Sequence, residues 1–266
     1  MRILSYGAGV DSTAILVGLM QRNEDVDLIT FGDTGGEHPE TYAYLDTMDE
    51  WLEEHCYPTI TRVRKFGAEK GEIFEGSIVT HKPHSRPSAY GPGYTTLEGL
   101  NLQNQTLPSP AYGQHTCTET FKITPQRTYV KDRWPDEHVE WLIGFDATET
   151  RRTKKFGSYA DDKNSYTFPL IEWDWDRERC KAEIAAAGLP VPMKSSCWFC
   201  PYMKKHEVKA LAINHPDLFA RGLELEDNWK TGRHYKEGIS IKGLGRGWNW
   251  RSWAEEEGLV SIEAAA

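Results

Sequence analysis

The 266-residue chain has no run of eighteen apolar residues, the length that a membrane-spanning helix requires. Its longest apolar stretch near the start, "AILVGLM", is short and helical in pattern. Cysteine is scarce and odd in number, five in all, which argues against a disulfide framework and leaves buried thiols, metal ligands or reactive thiols. Positive charge is in deficit, with 31 Lys and Arg against 40 Asp and Glu, so a surface that is basic overall and binds nucleic acid everywhere is excluded. There are no internal repeats. Arg2-Ile3-Leu4 run directly into a glycine-rich turn, which leaves no room for a signal peptide; a cytoplasmic protein with no membrane partner is expected. Two local basic runs, "RRTKK" at 151–155 and "KKHEVK" at 204–209, read either as solvated faces or as a phosphate-binding rim.

What is present is a strand–helix alternation. "RILSY", "VDLITFG" and "TITRVR" read as strands, with helices over 11–22 and "ETYAYLDTMDEWLEEH" between them. That order predicts a parallel sheet with crossover helices, a doubly wound, Rossmann-like α/β fold. Residues 66–116, rich in Pro, Gly, Ser, Asn and Gln, show no periodicity and are expected to form a long loop, a lid over the site. A helix over "TFKITPQRTYVKDRW", kinked near Pro125, leads to a fourth strand, "HVEWLIGF". "SYTFPLIEW" reads as extended, and "DRERCKAEIAAAG" and "KKHEVKALAINH" as helices. From Asn228 onward Gly, Trp and Arg dominate and an irregular segment is expected; the late tryptophans suit a core or an interface. The expected division is a nucleotide-binding domain over 1–176 and a helical or irregular cysteine-bearing segment over 177–266.

The first candidate site is "SYGAGVDSTA". Gly7 and Gly9 remove side chains where backbone must approach a ligand, and the helix that follows points its unpaired N–H groups into the turn. Ser5, Ser12 and Thr13 add hydroxyls. Such a nest suits phosphate oxygens, yet it is neither the Gly-Lys-Ser/Thr loop nor the dinucleotide G-x-G-x-x-G. Without a ligand it would be a tight strand-to-helix turn. Asp33, at the end of the second strand, lies where open α/β sheets bind ligands, and is also a good turn former. Glu37 and Glu40 suit the start of the next helix.

These segments resemble the PAPS-reductase-like branch of the adenine-nucleotide α-hydrolase, or PP-loop ATP pyrophosphatase, superfamily. "SYGAGVDS" resembles its S-x-G-x-D-S loop, and "FGDTGGEHPETY" the segment after its second strand. "CTETFKITP" resembles C-x-x-x-x-K-x-x-P, "GFDATETRR" resembles G-x-x-x-x-E-x-x-R, and "PLIEW" with "GLPVPMKSSCWFCP" resembles the distal cysteine motif. The resemblance implies that Ser5, Gly7, Ala8, Gly9, Asp11 and Ser12 cradle the β- and γ-phosphates of ATP. It implies nucleotide or Mg²⁺ binding by Asp33, phosphate contacts by Arg151, and catalytic roles for Asp11, Lys122, Glu149 and Arg152.

Cys197-Trp-Phe-Cys200 brings two thiolates within reach of one metal, and Cys117 and Cys180 are available as partners. Four thiolates suit Zn²⁺ or an iron–sulfur cluster, while the pair alone would suit a redox dithiol. The resemblance implies a [4Fe–4S] cluster on Cys117, Cys180, Cys197 and Cys200, with Zn²⁺ as the alternative. Cys56 matches nothing and reads as packing. No cysteine follows Cys200, so the terminal nucleophile of sulfonucleotide reductases is missing, and Asp146 stands where those enzymes often carry a basic residue.

The expected activity is therefore cleavage of ATP to AMP and pyrophosphate to adenylate a substrate, followed by sulfur transfer. The expected partners are a sulfur donor such as a cysteine desulfurase, a nucleobase or nucleic-acid acceptor, and a second copy in a homodimer. The alternatives are a PAPS or APS reductase that borrows an external thiol, and a non-catalytic nucleotide-binding module of a nucleic-acid-modifying complex.

Overall fold

Leu28–Asp33 (β2) is buried at every position, as a strand covered on both faces must be. In the computed structural model, which describes residues 1–65, 96–154, 156–233, 235, 236, 238 and 240–260, β2 lies between Arg2–Tyr6 (β1) and Ile60–Arg64 (β3). On its other side β1 pairs with Val139–Ile143 (β4), which pairs with Asn164–Thr167 (β5). All pairings are parallel, in the order β3-β2-β1-β4-β5. The protein is thus the doubly wound α/β fold expected. Chain order reverses between β1 and β4, and open sheets of this kind bind ligands in the crevice beyond such a switch point.

One face of the sheet carries Val10–Gln21 (α1) and Pro39–Glu54 (α2). Helix α1 is apolar nearly all round because it is sandwiched, with Ile15, Leu16 and Leu19 fully buried between the sheet and Arg177–Ala186, which packs over it. On the opposite face, Tyr129 and Val130 of the helix Thr124–Arg133 cover Ile3, Leu28, Val63, Val139 and Trp141.

Residues 66–95 of the expected lid lie outside the described residues. Over the remainder the expectation of a structureless loop is corrected. Leu97–Asn104 is a helix (α3), capped by Thr96, whose Oγ1 accepts from Gly99 N at 2.9 Å, and Ser109–Tyr112 forms a 3₁₀ turn. Thr116–Thr118 (α4), a π-helical turn over Glu119–Ile123 and Thr124–Arg133 (α5) follow as one stretch, with Pro125 inside it, directly after the π-helical turn. After Thr150–Thr153 (α6) and β5, the chain is extended only to Thr167, and Pro169–Glu172 (α7) starts at a proline.

Beyond Arg177–Ala186 (α8), a second core forms around Trp198, Phe199, Trp229 and Trp250, gathered from Lys205–Asn214 (α9), Pro216–Lys230 (α10), Trp250–Glu256 (α11) and α3. Irregular chain, expected from Asn228 onward, is found at 231–249 among the described residues, and the expectation is corrected at either end. Helix α10 runs to Lys230, and Asn249 caps α11 by accepting from Ser252 N at 2.7 Å. Glu226 supplies the missing order. Fully buried, it accepts N–H groups from Leu244, Trp250 and Arg251 at 2.6, 2.8 and 3.0 Å, which pins the Gly- and Trp-rich stretch to α10. A buried ion pair, Glu98 with Arg221, ties α3 to α10. No helix among the described residues is long and apolar enough to cross a membrane.

Candidate functional site

A cavity of about 530 Å³ opens at the carboxyl ends of β1, β2 and β4. Its floor is the turn between β1 and α1. Ala8 there takes φ +54°, a left-handed conformation that makes the backbone concave, and Gly9 caps α1. Ser12 Oγ sits inside the concavity, accepting from Gly7 N at 3.1 Å and Gly9 N at 3.4 Å and donating to Gly9 O at 3.2 Å. Gly144, at the end of β4, closes on this turn: a Cβ there would stand 3.0 Å from Ser12 N.

Asp11 accepts two hydrogen bonds from Arg177 at 2.6 and 2.7 Å. Burial nonetheless pushes its carboxyl above the ordinary range, with Arg177 opposing the shift and Asp146 and Glu149 adding to it. Asp11, Asp146 and Glu149 form the group of three His, Cys, Asp or Glu side chains, among the described residues, that brings one ligand atom from each within 4.8 Å of the others. Glu149 pairs with Arg152 at 2.6 Å, and Arg152 lies over the Phe145 ring at 4.1 Å and lines the cavity. Arg151 is exposed and lies outside the cavity lining. Arg127, Arg177 and Lys194 also line it, so cations outnumber carboxylates in the cavity lining, which suits a polyanionic ligand.

Asp33 does something other than face a ligand. Its Oδ1 accepts from Gly35 N at 2.7 Å and Tyr42 Oη at 2.8 Å, and its Oδ2 pairs with Arg64 at 2.7 Å. Fully buried and supplied with donors from the protein, it stands outside the cavity lining and shapes the turn after β2.

Lys122 lies on the π-helical turn, a feature that recurs at functional sites. It is admitted close to the sheet by Gly32 of β2, where a Cβ would meet Lys122 Cα at 2.7 Å. Lys122 Nζ pairs with Glu37 Oε1 at 2.8 Å. Burial alone would lower the ammonium's pKa; Glu37, with Cys197 and Cys200 adding to it, outweighs that and raises it. Gln126, one turn on, is buried and was not foreseen as a site residue. Its Oε1 accepts from Ser5 Oγ at 3.2 Å and Thr30 Oγ1 at 2.6 Å, while its Nε2 donates to Lys122 O at 2.8 Å. Only its position one helical turn beyond Lys122 could have drawn attention to it.

Three of the four expected metal ligands, Cys117, Cys197 and Cys200, line the same cavity. The turn that bears two of them is closed by Cys200 N donating to Cys197 O at 3.0 Å, and Cys117 N donates to Ser109 Oγ at 3.0 Å. Burial raises the Cys197 and Cys200 thiols, with Glu37 adding to the shift at Cys197, so both are protonated in the metal-free protein at neutral pH. Cys180 is elsewhere. It points into the core beneath α1 with Ile184, and burial pushes its thiol up to about 12. Cys56 is exposed, not packed as expected.

No protein-family model and no curated protein matches the chain. Among solved structures it is similar to the U34-tRNA thiolase NcsA from Methanococcus maripaludis with its [4Fe–4S] cluster. The TM-score is 0.41 and the sequence identity 13%, over 96% of this chain and 80% of that one.

Proposed function

We propose that the protein binds ATP in the turn between β1 and α1, adenylates a substrate oxygen, and transfers sulfur to the activated atom. One observation carries this reading: the anion-binding turn and the three cysteines Cys117, Cys197 and Cys200 share a single cavity. In the first step the substrate oxygen attacks the α-phosphorus, the bond to the bridging oxygen of the β-phosphate breaks, and pyrophosphate leaves. In the second, sulfide attacks the activated carbon, the C–O bond breaks, and AMP leaves with the former substrate oxygen. The residues here stabilise charge and position groups rather than attack, which is what phosphoryl chemistry asks of a protein. Gly7, Ala8, Gly9 and Ser12 present the turn to the leaving pyrophosphate, and Lys122, Arg152 and Arg177 supply positive charge around it. Mg²⁺ accompanies the nucleotide.

The cysteine set fits an iron–sulfur cluster better than a single zinc. Zn–S bonds of about 2.3 Å place the thiolates of one tetrahedral zinc roughly 3.8 Å apart. Among the described residues, the three thiols are not mutually within 4.8 Å. A cluster spreads its thiolates more widely, and Cys117, Cys197 and Cys200 would hold it with Cys180 left in the core. When bound, it supplies iron that can carry sulfide. The test is ATP-dependent release of pyrophosphate by anaerobically prepared protein given sulfide and candidate nucleobase acceptors. Stoichiometric AMP, pyrophosphate and thiolated product support the reading; tight ATP binding without pyrophosphate from any acceptor contradicts it.

A further inference from the structure

Glu37 stands in "FGDTGGEHPETY", where the sequence suggests only a residue suited to a helix start. The structure buries its side chain completely. Withdrawing a carboxylate from water is costly unless the charge is matched, so a buried one needs a reason. Lys122 Nζ meets Oε1 at 2.8 Å, and Thr34 Oγ1 donates to the same oxygen at 2.9 Å. Among the described residues, Oε2 has no hydrogen-bond partner.

The carboxylate is also held from behind. Glu37 and Cys197 face each other across an antiparallel bridge, with His38 N donating to Ser196 O at 3.3 Å and Trp198 N to Gly36 O at 2.9 Å. Lys122 is thus anchored to a segment locked onto the cysteine turn. Its own helix is anchored to the phosphate side through Gln126 and Ser5. Its side chain keeps 29% of its exposure and lines the cavity between the two.

We propose that Glu37 is a positioning residue that fixes the Lys122 ammonium in the cavity wall, between the anion-binding turn and the cysteines, before nucleotide arrives. A free lysine gives up considerable side-chain entropy when it meets a phosphate, whereas a cation already in place needs no reorganisation. The inference rests on the nucleotide-binding reading above.

The test is a double-mutant cycle on the affinity for α,β-methylene-ATP with Mg²⁺, measured by calorimetry, with thermal stability recorded for each variant. Glu37→Gln and Lys122→Met are each expected to raise Kd by about tenfold or more, roughly 1.4 kcal/mol. If Glu37 acts through Lys122, the double variant binds no worse than Lys122→Met alone. A purely structural role would shift stability and leave Kd in place. Thr34→Val, which removes one hydroxyl from Oε1 and keeps both charges, is expected to weaken binding by a smaller factor, about two- to threefold. It and the uncharged double variant carry the test if a single charge removal prevents folding. Wild-type affinity in Glu37→Gln or Thr34→Val, or multiplied losses in the double variant, would overturn the proposal. A Lys122→Met that binds normally would overturn it as well, whereas a wild-type protein that binds no nucleotide would instead sink the reading beneath it.

Discussion

Arg177 reaches Asp11 across 166 residues of sequence and donates two hydrogen bonds to its carboxylate, at 2.6 and 2.7 Å. Through this pair α8, whose Cys180 and Ile184 fill the core under α1, is coupled directly to the turn between β1 and α1. The pair matches opposite charges, yet burial leaves the Asp11 carboxyl raised above its ordinary value.

A raised carboxyl gives a definite sign. Asp11 contributes stability that is fully present below the ordinary carboxyl range and lost as pH rises through its folded value. Asp11→Asn is therefore expected to melt at the same or a higher temperature than wild type at pH 7, with the difference shrinking as pH falls towards about 4. Pyrophosphate release by this variant should drop about tenfold or more, the usual conflict between stability and function at a charged site. Melting curves at several pH values, with a release assay, check both halves.

Gln126 makes three hydrogen bonds from a buried side chain, two of them to Ser5 and Thr30 on adjacent strands. Gln126→Leu keeps the volume but takes the shared acceptor from the buried Thr30 hydroxyl, which keeps only a long bond to Leu4 O, and from the half-buried Ser5 hydroxyl, at about 1–3 kcal/mol. Denaturant unfolding should show this loss. Nucleotide affinity should fall as well, because Ser5 loses its support.

Glu98→Gln leaves Arg221 buried and unmatched between α3 and α10. Breaking such a pair costs about 3–5 kcal/mol. The midpoint of unfolding should fall sharply, and nucleotide affinity of the folded fraction should be unchanged, since neither residue lines the cavity.

The sheet was legible in the sequence because β1 to β4 are apolar runs separated by helical periodicity, and because "SYGAGVDS" places glycines where a strand must turn into a helix. The last helices were not. Helix α11 carries two tryptophans in seven residues after a glycine-rich stretch, and its order depends on Glu226, whose three backbone partners lie 18 to 25 residues away. The sequence left Cys180 available as a partner for the Cys197–Cys200 turn, and the resemblance implied it; the apolar face of α8 turns it towards α1 instead. Asp33 was misleading for a related reason. A carboxylate at a strand end suits a ligand, but Arg64, thirty-one residues on, had already matched its charge. Glu37 looked like a helix-start residue because the partner that gives it meaning, Lys122, arrives from a helix beyond the long loop.

The most direct measurement is iron and acid-labile sulfide per chain in anaerobically purified wild type, Cys197→Ser and Cys180→Ser. About four of each in wild type and Cys180→Ser, with loss in Cys197→Ser, is the predicted result. Metal without sulfide in wild type, or equal loss in Cys180→Ser while the protein remains folded, would contradict the account.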